Sequence, residues 1–129
     1  MIVYAFVDGA VDNENDGAFG YVIMSEHGKC IQGYDEISFY KTKEEVTYAS
    51  IIEACRIISN NFGSKDVDLQ LLIPSKSVYA QLNGDTIKDG AQLVMYYTAK
   101  DLLSKFNSWN TYIMPVDLSL ETQELAQNI

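Results

Sequence analysis

Thr42-Lys43-Glu44-Glu45 has the pattern of a capping box, and Tyr48, Ile51, Ile52, Cys55, Ile58 and Phe62 then recur at steps of three and four. This spacing predicts a helix of about four turns that ends near Asn61 and Gly63. An apolar stripe of that length must cover a sheet. The residues before it read as strands, and the short apolar run Leu69 to Ile73, closed by Pro74, reads as a buried strand after it. A strand, a helix and a second strand in that order imply a parallel crossover, which restricts the chain to the α/β folds.

The other elements follow from local pattern. Ile2, Tyr4 and Phe6 alternate with Val3, Ala5 and Val7, which reads as a strand buried on both faces and ending at Asp8-Gly9. Residues 12–17 are all turn formers, so Phe19 to Met24 forms a hairpin with the first strand. A polar turn at 25–29 leads to a third strand, Cys30 to Ser38. Beyond Pro74, Ser75 to Leu82 reads as a short helix stopped by Asn83-Gly84. Asp89 to Lys105 has helical spacing through Leu93, Tyr96, Tyr97, Ala99, Leu102, Leu103 and Phe106, and Tyr96 and Tyr97 follow that stripe as packing residues. Trp109 to Val116 reads as a fifth strand and Ser119 to Gln127 as a last helix. The order βββαβααβα describes one α/β domain over residues 1–129, a five-stranded mixed sheet with three antiparallel strands first.

Composition narrows the partners. The chain has 129 residues, 47% hydrophobic and 21% charged, with two prolines and eight glycines, which leaves no room for a linker. No apolar run approaches a membrane span and the first residues lack a leader pattern, so the expected compartment is the cytoplasm. Cys30 and Cys55 lack the paired spacing of a zinc or redox site and read as buried thiols, and His27 reads as a turn residue. A net charge of -9 opposes polyanions, and the nine lysines and arginines stand mostly singly beside acids.

Asp8 stands where a strand presents a carboxylate, as a metal ligand, a base, or simply the first residue of an Asp-Gly turn. Together with the element order, Tyr4-Ala5-Phe6-Val7-Asp8-Gly9-Ala10, Gly17-Ala18-Phe19-Gly20-Tyr21-Val22-Ile23 and Gln81-Leu82-Asn83-Gly84 resemble the type 1 ribonuclease H family over nearly the whole chain. The resemblance implies a ribonuclease H-like fold and a site of four acids, of which Asp8 is the first. It places Thr47 at the glutamate of the first helix, Ser75 at the aspartate ending the fourth strand, and Gln123 at the aspartate of the last helix. Only Asp8 is kept, and the histidine that many members carry is missing near 115–120. Two-metal phosphodiester hydrolysis holds its cations about 3.5–4 Å apart. Such hard cations need anionic oxygens, which Thr47, Ser75 and Gln123 do not supply.

Glu44, Glu45, Glu53, Asp117, Glu121 and Glu124 lie near the replaced positions in sequence. Glu45 is about 200° around the helix from Thr47 and has the capping role, whereas Glu124 adjoins Gln123 and is the best substitute ligand. The expectation is a catalytically inactive domain that binds a protein, one of basic character suiting the acidic surface, with no cofactor. The contact would use the open sheet face or the helix around Tyr96 and Tyr97. The alternative is a Mg²⁺-dependent endonuclease cleaving RNA in RNA/DNA hybrids with Asp8 and relocated acids; the charge disfavours hybrid binding.

Overall fold

A computed structural model describes residues 1–11, 16–37 and 42–114. Their elements are β1 (Ile2–Val11), β2 (Gly17–Ser25), β3 (Cys30–Ile37), α1 (Lys43–Phe62), β4 (Asp68–Ile73), α2 (Lys76–Leu82), α3 (Gly90–Leu103) and β5 (Ser108–Ile113). They form one five-stranded sheet in the order β3-β2-β1-β4-β5. The first three strands are antiparallel, and β1, β4 and β5 run parallel. The expected last helix, Ser119 to Gln127, lies outside the described residues, as do the tips of the first turn and of the third strand and the far end of the fifth.

The capping pattern of α1 forms with one change. Thr42 accepts from the Glu45 amide at 3.2 Å, while the Glu45 carboxylate takes the Thr42 hydroxyl at 3.3 Å instead of the Thr42 amide. Gly63 ends the helix with φ 76°, a conformation that residues with a Cβ rarely adopt. Tyr48, Ile51, Ile52, Cys55 and Ile58 are buried against Val3, Ala5, Val7, Ile23, Leu69, Leu71 and Ile73 of the sheet. Ala99, Leu103 and Phe106 complete that core. Burial pushes the Cys55 thiol up to about 12, so it stays protonated and inert.

Three expectations change in this frame. β1 is not buried on both faces: Val3, Ala5 and Val7 face the helices, whereas Ile2 and Tyr4 are exposed. Cys30 is exposed because it lies on edge strand β3, in line with Met24, Tyr4, Gln70 and Asn110 across the sheet. Tyr96 does pack, edge-on to buried Tyr48 and under the Lys100 ammonium, but Tyr97 is 63% exposed. His27 is an exposed turn residue, as its surroundings imply.

α1 comes close upon β1 at Gly9. A Cβ there would stand 2.7 Å from Val46 Cγ1 and 3.1 Å from the backbone of Val46 and Thr47, so α1 can lie this close to β1 only over a glycine. Gly9→Ala should therefore cost about 1–3 kcal/mol in urea unfolding through overpacking. Gly90→Ala, at a position with open space around the new Cβ, should cost nothing measurable.

The parallel edge is tied polar group to polar group. The Asp68 carboxylate at the start of β4 accepts from Asn107 Nδ2 and Ser108 Oγ, each at 2.7 Å. Those two bonds hold its carboxyl below the ordinary range. A lowered folded-state value contributes stability at neutral pH that is lost as pH falls through the carboxylate range. The acid limb of a pH–stability profile should accordingly flatten in Asp68→Asn, and an unchanged limb would show that the two bonds carry no net stability.

Candidate functional site

Asp8 does not end β1. The strand continues through Val11 because β2 keeps pairing with it, Asp8 opposite Gly20 and Val11 opposite Gly17. On its other side the pairing with β4 stops at Phe6 opposite Leu72. Asp8 thus lies where β1 has outrun its parallel neighbour, next to the first turns of α1, the position at which an α/β sheet presents side chains to a ligand.

The Asp8 side chain is fully buried. Its Oδ1 accepts from the Gly9 amide at 2.8 Å and lies 4.0 Å from the Lys43 ammonium. Lys43 is the first residue of α1 and its side chain remains half-exposed. Thr47, one turn further on, is buried, and its hydroxyl donates to the Lys43 carbonyl at 2.8 Å. Its backbone amide borders Gly9. The structure therefore brings Thr47 to Asp8's end of β1, with its hydroxyl committed to its own helix.

Ser75 follows the end of β4, two residues beyond Ile73, on the strand that pairs with β1 up to Phe6. Ser75 is the N-cap of α2, accepting from the Val78 amide at 3.2 Å, and its hydroxyl is 3.1 Å from that of Ser77. Ser77 in turn donates to Glu44 Oε1 at 3.0 Å, so the first turn of α1 and the start of α2 are joined above the end of β4. The phenol of buried Tyr48 donates to Gln81 Oε1, and Gln81 Nε2 to Gln92 Oε1 at 3.2 Å, which fixes α2 between α1 and α3. Desolvation of the Tyr48 phenol raises its pKa, so it stays a donor.

Of the other acids, Glu45 is buried in the cap and Glu53 lies within 3.9 Å of Arg56 further along α1. Gln123, Glu124, Asp117 and Glu121 lie outside the described residues. Among the described residues no group of three or more His, Cys, Asp or Glu side chains could hold a metal ion. Lys43 and Ser77 were not singled out by sequence reasoning. Lys43 could have been, since it precedes Thr47 by four residues and so shares its side of the helix.

No protein-family model and no curated protein matches the sequence. Solved structures do. RNase H1 from the halophilic archaeon Halobacterium salinarum NRC-1 is 27% identical, with TM-score 0.88 over 99% of this chain and 96% of that one. The N-terminal ribonuclease H domain of Rv2228c from Mycobacterium tuberculosis, solved as a fusion with maltose-binding protein, is 20% identical, with TM-score 0.86 over 99% and 98%. LC11-RNase H1 in complex with an RNA/DNA hybrid is 15% identical, with TM-score 0.86 over 98% and 94%. The chain has the ribonuclease H-like fold, with the five-stranded mixed sheet shared along nearly its whole length.

Ser75 supplies a test of what the site's hydroxyls do. Ser75→Ala should lower stability by about 1 kcal/mol in chemical denaturation through loss of the α2 cap, and Ser75→Asp should retain it because aspartate caps equally well. A neutral alanine variant would remove the capping role.

Proposed function

We propose that this domain does not hydrolyse phosphodiesters and works as a binding module of the cytoplasm, with a protein as its partner. The observation that carries the reading is the state of Thr47. At the position that the resemblance assigns to a glutamate, a buried neutral hydroxyl is bonded back to the Lys43 carbonyl. Among the described residues, the metals of a two-metal nuclease do not fit the groups near Asp8, which are hydroxyls given to caps and helix and the Lys43 ammonium. Two free thiols, Cys30 and Cys55, accord with a reducing compartment. No helix of the described residues is long and apolar enough to cross a membrane.

A protein partner is supported by the sheet face that α1 and α3 leave open. Ile2, Tyr4, Met24 and Tyr112 are exposed on it, and Ile2, Tyr4, Gln70, Leu72 and Tyr112 line a shallow depression. The apolar content suits a protein surface better than a phosphate backbone. The net charge of -9 suits a basic one. The second reading, binding or cleavage of an RNA/DNA hybrid, draws on the likeness to a protein solved with such a hybrid.

The two readings separate in one assay. Purified protein with a labelled RNA/DNA hybrid and millimolar Mg²⁺ or Mn²⁺ should show no cleavage above that of Asp8→Asn prepared in parallel, which controls for contaminating ribonuclease H. Anisotropy at near-physiological salt should show weak or no hybrid binding. Cleavage that Asp8→Asn abolishes would establish a nuclease, and its loss in Glu124→Gln would identify the substitute ligand.

A further inference from the structure

The five strands carry charge of one sign. Asp8, Asp35, Glu36 and Asp68 are their charged residues, and no lysine or arginine among the described residues belongs to a strand. Lys29 and Lys100 are held over the rings of Phe62 and Trp109, which pack against the core on the helix side of the sheet. The face away from α1 and α3 thus offers apolar and acidic groups, and its strands supply no lysine or arginine to it. We propose that the depression on this face takes a lysine- or arginine-bearing segment of a protein partner. The cation of that segment lies against the rings of Tyr4 and Tyr112, and its apolar neighbours lie on Ile2 and Leu72.

Tyr4 on β1 and Tyr112 on β5 both line the depression, and β4 lies between those two strands. Gln70 of β4 stands opposite Tyr4, and Leu72 opposite Tyr112. The two tyrosines are 41% and 48% exposed, so a guanidinium or ammonium can reach their rings, an attraction that partial desolvation beside apolar neighbours strengthens. Gln70 supplies both a donor and an acceptor for the backbone of the segment. Asp68, opposite Ile2 and two residues before Gln70, is on the same side of β4. Its bonds from Asn107 and Ser108 hold a negative charge at that end of the depression. The Met1 ammonium at the same end is 3.8 Å from Glu26.

Charge selects among the possible occupants. A second copy of this chain would set acid against acid across the contact, and a nucleic acid would bring phosphates to strands that supply no lysine or arginine. A wholly apolar surface would desolvate the Asp68 carboxylate without giving it a cation. A segment that alternates basic and apolar residues meets the acid, the rings and the aliphatic side chains together. The proposal rests on the reading of the domain as a protein-binding module and names the segment which that module takes.

Hybrid cleavage dependent on Asp8 sinks the non-catalytic reading, whereas the occupant of the face is tested by peptide titration. The probe is a fluorescein-labelled Arg-Leu-Arg-Leu-Arg peptide, titrated with the full chain in anisotropy at near-physiological salt, with Glu-Leu-Glu-Leu-Glu as its counterpart. The wild type should bind the arginine peptide and not the glutamate one. Tyr4→Leu and Tyr112→Leu, which keep apolar surface and remove a ring, should each weaken binding about two- to fivefold. Tyr4→Phe and Tyr112→Phe keep the ring and should bind as the wild type does. So should Tyr97→Leu, which alters an exposed tyrosine of α3 outside the depression. Equal binding by all variants would show attraction by net charge alone and overturn the proposal, as would no binding or a preference for the glutamate peptide. Self-association or hybrid binding that Tyr4→Leu abolishes would overturn it in favour of a second copy or of nucleic acid.

Discussion

The contact between Gly9 and the Val46–Thr47 backbone is the constraint on which the arrangement of the site depends. An α-helix packed on a sheet is held off by the side chains between them, and here one position has none. α1 therefore touches β1 at Gly9, with 3.1 Å separating the site of a missing Cβ from the Thr47 nitrogen. That approach brings Lys43 and Thr47 to the stretch of β1 that has passed the end of β4. Asp8, one residue before the glycine, is fully buried, and Lys43 of the helix comes within 4.0 Å of its carboxylate.

What the helix presents is engaged in local structural bonds. Among the described residues, the polar groups near Asp8 have local structural partners: Thr47 its own helix carbonyl, Ser75 the amide of Val78, Ser77 the Glu44 carboxylate, Lys43 the Asp8 carboxylate. In a catalytic cluster the carboxylates repel one another until metals arrive, and the repulsion is a cost borne for function. The described part of this site carries no such group of acids, and its charges are paired within the chain.

Much of the architecture could be read from spacing, because burial dictates pattern. The α1 stripe, the Thr42 cap, the Gly63 stop and the succession of strands and helices along the chain all follow from which residues must leave water. The errors came where a local pattern has two solutions. Alternation in β1 is equally compatible with one covered face or two, and on the face away from α1 the strand's first residues, Ile2 and Tyr4, are exposed. Asp8-Gly9 looks like a strand end because that dipeptide commonly turns, but pairing with Gly20 and Phe19 carries the strand onward. Tyr96 and Tyr97 share a helical stripe only approximately, and the 100° between them separates a packed ring from an exposed one. The Lys43–Asp8 pair joins two elements distant in sequence, and only the crossover that stacks α1 on β1 reveals it.

The likeness at 27% identity to an RNase H1 from a halophilic archaeon concerns the fold, and a fold does not by itself fix a site. The sheet requires apolar residues at alternate positions and a glycine where the helix touches, conditions that many sequences meet. A two-metal site requires particular anions at particular points, and a single change to a hydroxyl removes a ligand while leaving the packing intact. Thr47 is buried and its hydroxyl is bonded within its own helix, so the packing at this position makes no demand for a carboxylate. The sheet face away from α1 and α3 carries Ile2, Tyr4, Met24 and Tyr112 in exposed positions, and apolar residues left in water are the ones whose presence a partner would explain.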